Sequence, residues 1–175
     1  TFLEKDYKRL NTEIVFANDF DADACKCYNA NQLLVDDGAE CLLDDIRNIN
    51  ANTIPDFDIL LAGFPCQPFS NAGNRKGVND DNGRGTLFEE CERIIKAKVD
   101  SNKRPKAFLF ENVRGILSSK MPDGKTTVPQ EIQKRMESLG YDISMKLVCS
   151  SDYGVPQQRY RVLIIGIDKQ LGLDS

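Results

Sequence analysis

The chain has 175 residues, 41% of them hydrophobic and 29% charged, with a net charge of −4 and a pI near 5.0. That is enough for one domain with a real core and ordinary for a soluble globular protein. No apolar run approaches membrane-spanning length and no secretory signal opens the chain, so it reads as a soluble intracellular protein. The two parts differ in charge: residues 1–60 carry 13 acidic and 5 basic side chains, whereas residues 61–175 carry 14 and 18. The basic surplus leaves a nucleic-acid face open without demanding one.

In chain order, Glu13–Ala17 reads as a strand closed by Asn18-Asp19, and Asp21 as the N-cap of a helix to about Asn29. Asp56–Ala62 is a second, nearly continuous apolar strand, the pattern of a parallel strand covered on both faces. Thr86–Val99 is an amphipathic helix with Leu87, Cys91, Ile94, Ile95 and Val99 at helical spacing. Lys106–Phe110 is a strand ending at Glu111-Asn112. Pro129 marks the first turn of a further helix, with Val128, Ile132, Met136 and Leu139 on one face and Gly140 as its stop. Tyr141–Cys149 and Tyr160–Ile167 are two last strands, joined by a loop too short for a crossover helix and therefore antiparallel. The alternation before them indicates a doubly wound, mostly parallel α/β sheet.

Gly63-Phe64-Pro65-Cys66-Gln67-Pro68-Phe69-Ser70 is the most informative stretch. Two prolines bracket one cysteine just past an apolar strand, holding it in a stiff, non-helical loop. Chemistry in open α/β sheets gathers at such carboxyl ends, so a rigid thiol there is a candidate nucleophile. A buried structural cysteine is the plain alternative. The chain contains no histidine, which excludes a Cys–His dyad, a Ser–His–Asp triad and histidine metal ligands within it. A Cys66 thiolate would need an arginine, backbone N–H groups or a helix N-terminus instead. The six cysteines form no CxxC pair and read as reduced thiols.

Other strand ends also carry polar groups. Asp19 suits ribose hydroxyls, with a capping role as the alternative, and Phe20 beside it could stack on an adenine. Glu111 follows Ala107-Phe108-Leu109-Phe110 at the rim of a buried strand. A carboxyl partly withdrawn from water there could donate a proton to a base nitrogen, and pairing with Arg114 or plain solvation is the alternative. Arg159 and Arg161, two residues apart at the start of the last strand, share a face and need phosphate, carboxylate or base partners. Asn71–Gly85 is long, polar and glycine-bearing for a connection.

Taken together, these pieces resemble the cytosine-C5 DNA methyltransferases of the class I, S-adenosylmethionine-dependent type. In family order stand Asn18-Asp19-Phe20-Asp21, Asp45-Ile46, the Cys66 loop, Arg84-Gly85-Thr86-Leu87-Phe88, Glu111-Asn112-Val113 and Gln157-Gln158-Arg159-Tyr160-Arg161. The resemblance covers Asn18 to Asp168 and implies a Rossmann-like methyltransferase fold, incomplete at both ends. It implies that Cys66 attacks C6 of a cytosine flipped out of duplex DNA. It also implies that Glu111 contacts N3 and the exocyclic amine, Asn112 holds the Cys66 loop, Arg159 lies near O2 and Arg161 supports Glu111. S-adenosylmethionine would be the cofactor and S-adenosylhomocysteine its product, with no metal. Asp19 would bind its ribose, Phe20 the adenine face, Asp45 and Ile46 the adenine edge, and Pro65 and Leu87 would line the pocket. Residues 71–85 would close over DNA.

The family's glycine-rich cofactor loop and its target-recognition domain have no counterpart in residues 1–175. The chain is therefore expected to be a partial catalytic domain that neither methylates DNA nor binds the cofactor tightly by itself, its partners being duplex DNA and the rest of its own protein, with no membrane. A transfer-RNA cytosine-C5 methyltransferase of the same fold and a non-catalytic binding fragment are the alternatives. A prokaryotic, nucleoid-associated cytoplasmic location is favoured over a nuclear one.

Overall fold

The structure is a computed structural model that describes residues 12–35, 38–64 and 87–172. Pro65, Cys66 and the 71–85 loop lie outside the described residues. The chain divides into two compact units, residues 1–55 and 56–175.

In the first unit, β1 (Ala17–Asp19) pairs in parallel with β2 (Cys41–Leu43), and helix α1 (Ala22–Val35) connects them. Asp21 caps α1 as expected: its Oδ1 accepts from the backbone of Asp23 at 2.8 Å and Ala24 at 2.9 Å. These bonds hold the Asp21 carboxyl below the usual carboxylate range. Strand β1 starts later than its apolar pattern predicts, and α1 continues past Asn29. Two short 3-10 turns follow, Ile46–Asn48 and Ala51–Thr53.

The second unit is a four-stranded mixed sheet in the order β3 (Ile59–Gly63), β4 (Ala107–Val113), β6 (Tyr160–Asp168), β5 (Tyr141–Cys149). β3 and β4 are parallel, while β6 runs antiparallel to both of its neighbours. The last two strands are thus antiparallel, as the short connection requires, and β6 inserts between β4 and β5.

Alternation sorts the faces. Phe108, Phe110 and Asn112 of β4 and Val162, Ile164 and Gly166 of β6 are buried under helices α2 (Leu87–Asp100) and α3 (Val128–Ser138). Phe88, Cys91 and Ile95 of α2 and Val128, Ile132 and Met136 of α3 complete this core. Phe108 and Phe110 stack with centroids 4.4 Å apart. They do so because residue 166 is glycine: a Cβ there would fall 2.1 Å from the Phe108 ring. α3 opens with a reciprocal capping box between Thr127 and Gln130, carries Pro129 in its first turn, and is followed by Gly140 at φ +92°. Lys98 is the buried exception on the apolar face of α2, and its Nζ reaches Asp56 at 3.2 Å. Among the described residues, no helix is long and apolar enough to cross a membrane.

Candidate active site

Two groups of site residues assemble, one in each unit. In the second unit the carboxyl end of β3 lies beside the same end of β4, with Gly63 opposite Glu111. Side chains on the two faces of β4 then diverge in role. Asn112 turns inward and is 1% exposed. Its Nδ2 donates to the Phe64 carbonyl at 2.8 Å, and its Oδ1 accepts from Val113 N at 2.8 Å. Both halves of a buried amide are therefore used, as burial of a polar group requires. The carbonyl it grips stands two residues before Cys66.

Glu111 faces the other way. Its side chain is 42% exposed, more open to water than a rim position on a buried strand suggests, and its Oε1 is ion-paired with Nε of Arg161. Arg161 stands opposite Val113, two places from Glu111's own partner Leu163, so the pair is a same-face diagonal across an antiparallel ladder. The expected alternative partner, Arg114, is not used: its guanidinium lies over the Tyr160 ring, 5.5 Å from the centroid.

Arg159 differs from Arg161. It precedes β6 by one residue, so strand alternation does not fix its facing, and it is exposed with no side-chain partner among the described residues. It sits on the 150–159 loop, which begins as a 3-10 turn, Ser150–Tyr153, and reverses at Gly154 with φ +82°. Leu87, the first residue of α2, packs against the core of the second unit.

In the first unit, the parallel pairing sets Asp19 opposite Leu43, so Asp19-Phe20 and Asp44-Asp45 emerge side by side. The amide of Asn18, which carries no assigned role by resemblance, ties them: Nδ2 donates to Leu42 O at 2.9 Å and Asp44 O at 2.8 Å. Its signal was its place between an apolar strand and an acid, but the partner lies 26 residues on. Asp19 Oδ1 accepts from Asp21 N at 2.9 Å, and its other oxygen has no partner among the described residues. The cap itself is Asp21. Phe20 is 75% exposed. Asp45 accepts from the backbone and the guanidinium of Arg47, which hold its carboxyl down at about 2. Ile46 follows at the start of the 3-10 turn. A free carboxylate oxygen and a bare aromatic face suit the ribose and adenine of a nucleoside cofactor, whereas Asp45 would receive an adenine amine only on lone pairs that Arg47 leaves.

The described thiols differ in environment. The five described cysteines are free. Cys91 is buried in α2, which pushes its thiol up to about 12. Cys41 lies 3.2 Å from Cys25, and burial pushes it to about 11. Cys149 departs the other way: its thiol is lowered by the side chain and backbone of Ser151.

In the second unit the parallel β3–β4 pairing thus sets Glu111, with its partner Arg161 on β6, beside the strand whose sequence runs on to Pro65-Cys66. The family model described as C-5 cytosine-specific DNA methylase matches residues 3–174, and the chain belongs to that family. It is 44% identical over 158 residues to the type II methyltransferase M.BanI of Aneurinibacillus aneurinilyticus, covering 90% of this chain and 32% of that protein. It is 36% identical over 173 residues to M.FnuDI of Fusobacterium nucleatum, covering 99% and 46%. Among solved structures it resembles a mutant form of Spodoptera frugiperda DNMT2, with a TM-score of 0.72 and 26% identity over 95% of this chain and 46% of that one. The chain thus spans roughly a third to a half of the relatives it matches.

Proposed function

We propose that this chain forms the catalytic part of a DNA cytosine-C5 methyltransferase acting on a cytosine flipped out of the duplex. The observation that carries the reading is what flanks the end of β3, the strand that leads into Pro65-Cys66: on β4 beside it, Glu111 is held by Arg161 on one face, and Asn112 on the other is bonded to the Phe64 carbonyl. Cys66 adds as thiolate to C6 of the base. Glu111 holds a proton at N3 and contacts the exocyclic amine, so the electron pair released by the addition develops at C5. Arg159 steadies the base near O2, and Arg161 keeps Glu111 in place. S-adenosylmethionine supplies an electrophilic methyl group to C5, leaving S-adenosylhomocysteine. The C5 proton is then lost to solvent, the electron pair of that C–H bond expels the Cys66 thiolate, and N3 returns its proton to Glu111, which restores the enzyme. No imidazole is needed, consistent with a chain that has no histidine.

The first unit serves the cofactor: Asp19 takes the ribose hydroxyls, Phe20 the adenine face, and Asp45 with Ile46 the adenine edge; cofactor contacts are assigned to Pro65 and Leu87 as well, by resemblance. The type II names of the relatives favour a restriction–modification role in a prokaryotic cytoplasm. Transfer of a labelled methyl group by the full-length protein tests the proposal. Duplex DNA should yield 5-methylcytosine and transfer RNA none. Label in transfer RNA alone would replace the DNA reading with the RNA one, and label in neither would overturn it.

A further inference from the structure

The loop that carries Gln157, Gln158 and Arg159 has almost no core of its own. Residues 151–160 are all exposed, so apolar burial does not fix its shape. Short local bonds from Gly154 N to Ser151 O and from Gln157 N to Val155 O shape it, and the bonds that tie its two ends together centre on Ser150. Its hydroxyl donates to the Gln157 carbonyl at 2.6 Å and accepts from Arg159 N at 3.2 Å. Its own N–H donates to the Arg159 carbonyl at 3.0 Å, and its carbonyl accepts from Val155 N at 3.2 Å. A hydroxyl offers one donor and two acceptor sites, and here the donor and one acceptor close on the same tripeptide. Both limbs of the loop are therefore gripped from one point, immediately beyond the last β5–β6 pair, Cys149 and Tyr160.

We infer that Ser150 is a positioning residue for Arg159. The inference rests on the reading of Arg159 as the group that contacts the flipped base. An arginine reaches its target through a long, flexible side chain, so the direction in which its backbone launches it decides how often the guanidinium arrives. The Ser150 hydroxyl pins the Arg159 amide and the Gln157 carbonyl on either side of Gln158. Without it, the loop keeps its backbone bonds but loses the brace between them, and misplacement of a catalytic contact by even ~1 Å is costly.

The test uses the full-length protein and the rate of covalent capture by duplex DNA carrying 5-fluorocytosine, alongside the KM for S-adenosylmethionine. Ser150→Ala should slow capture about tenfold, the scale of one or two lost hydrogen bonds. The KM for the cofactor should stay as in the parent, and Ser150→Thr, which keeps the hydroxyl, should restore most of the rate. Adding Ser150→Ala to Arg159→Ala should cost nothing further, because the serine acts through the arginine. Capture at the parent rate in Ser150→Ala, with Arg159→Ala slow, overturns the inference and leaves the base-contact reading standing. Losses that multiply in the double variant overturn it too. Arg159→Ala at the parent rate removes the base-contact role, and the inference with it.

Discussion

Replacing Asn112 probes the point where the fold meets the proposed chemistry. Asn112→Ala removes a buried amide whose two ends are bonded, to Phe64 O and Val113 N, each at 2.8 Å. Each lost bond is worth about 1 kcal/mol net. Phe64 is itself buried, so its carbonyl is orphaned out of water, which adds roughly 1–2 kcal/mol. The expected loss is about 3–4 kcal/mol. Asn112→Asp separates the two bonds: it keeps an acceptor for Val113 N but places a carboxylate against a carbonyl. It should be at least as damaging as alanine near neutral pH. Its deficit should shrink as pH falls, because only the protonated acid can donate to Phe64, and burial favours that form. Urea unfolding of the full-length protein, followed by a probe in the second unit, measures both. A stability within about 0.5 kcal/mol of the parent for either variant at pH 7 would refute the argument that this donor secures the start of the Cys66 loop.

Gly166→Ala should cost at least about 2 kcal/mol in the same assay, because its Cβ would meet the Phe108 ring at 2.1 Å; parental stability would show that the ring can move. Arg161→Ala should cost no more than about 1 kcal/mol, since the pair is partly exposed, yet slow 5-fluorocytosine capture more than about tenfold; matching small effects would deny Glu111 its chemical role. Asp45 should titrate by NMR near 2, and Arg47→Ala should raise it toward 3.8. The Arg47 interaction is then fully present above the unfolded carboxylate pKa and lost as pH falls through about 2. Thiol alkylation at pH 8 should mark exposed Cys27 quickly and leave Cys91, pushed up to about 12, nearly untouched; rapid labelling of Cys91 would show the helix opening.

The long periodic segments were readable in the sequence because each carries its signal locally. Tyr141–Cys149 has the bounds its pattern predicts, and α3 announces itself through Pro129, its apolar stripe and Gly140. Strand β2 is only Cys41–Leu43, too short for a period, and is defined by its parallel partner and the Asn18 amide. The place of β6 between β4 and β5 is a long-range pairing that no local pattern encodes. The same limit governs the site. Asn112 and Glu111 could be picked out as polar groups on an apolar strand. The choice of Arg161 over nearby Arg114 depends on register, and the grip of Ser150 on Arg159 depends on how a loop closes.

Covalent capture at Cys66 tests the central claim most directly. The full-length protein, incubated with S-adenosylmethionine and duplex DNA containing 5-fluorocytosine at the target position, should form a stable adduct, because fluorine cannot leave C5 as a proton does. Peptide mapping should place the nucleotide on Cys66, and Cys66→Ser should abolish it. No adduct, an adduct on another cysteine, or one that persists in Cys66→Ser would contradict the account.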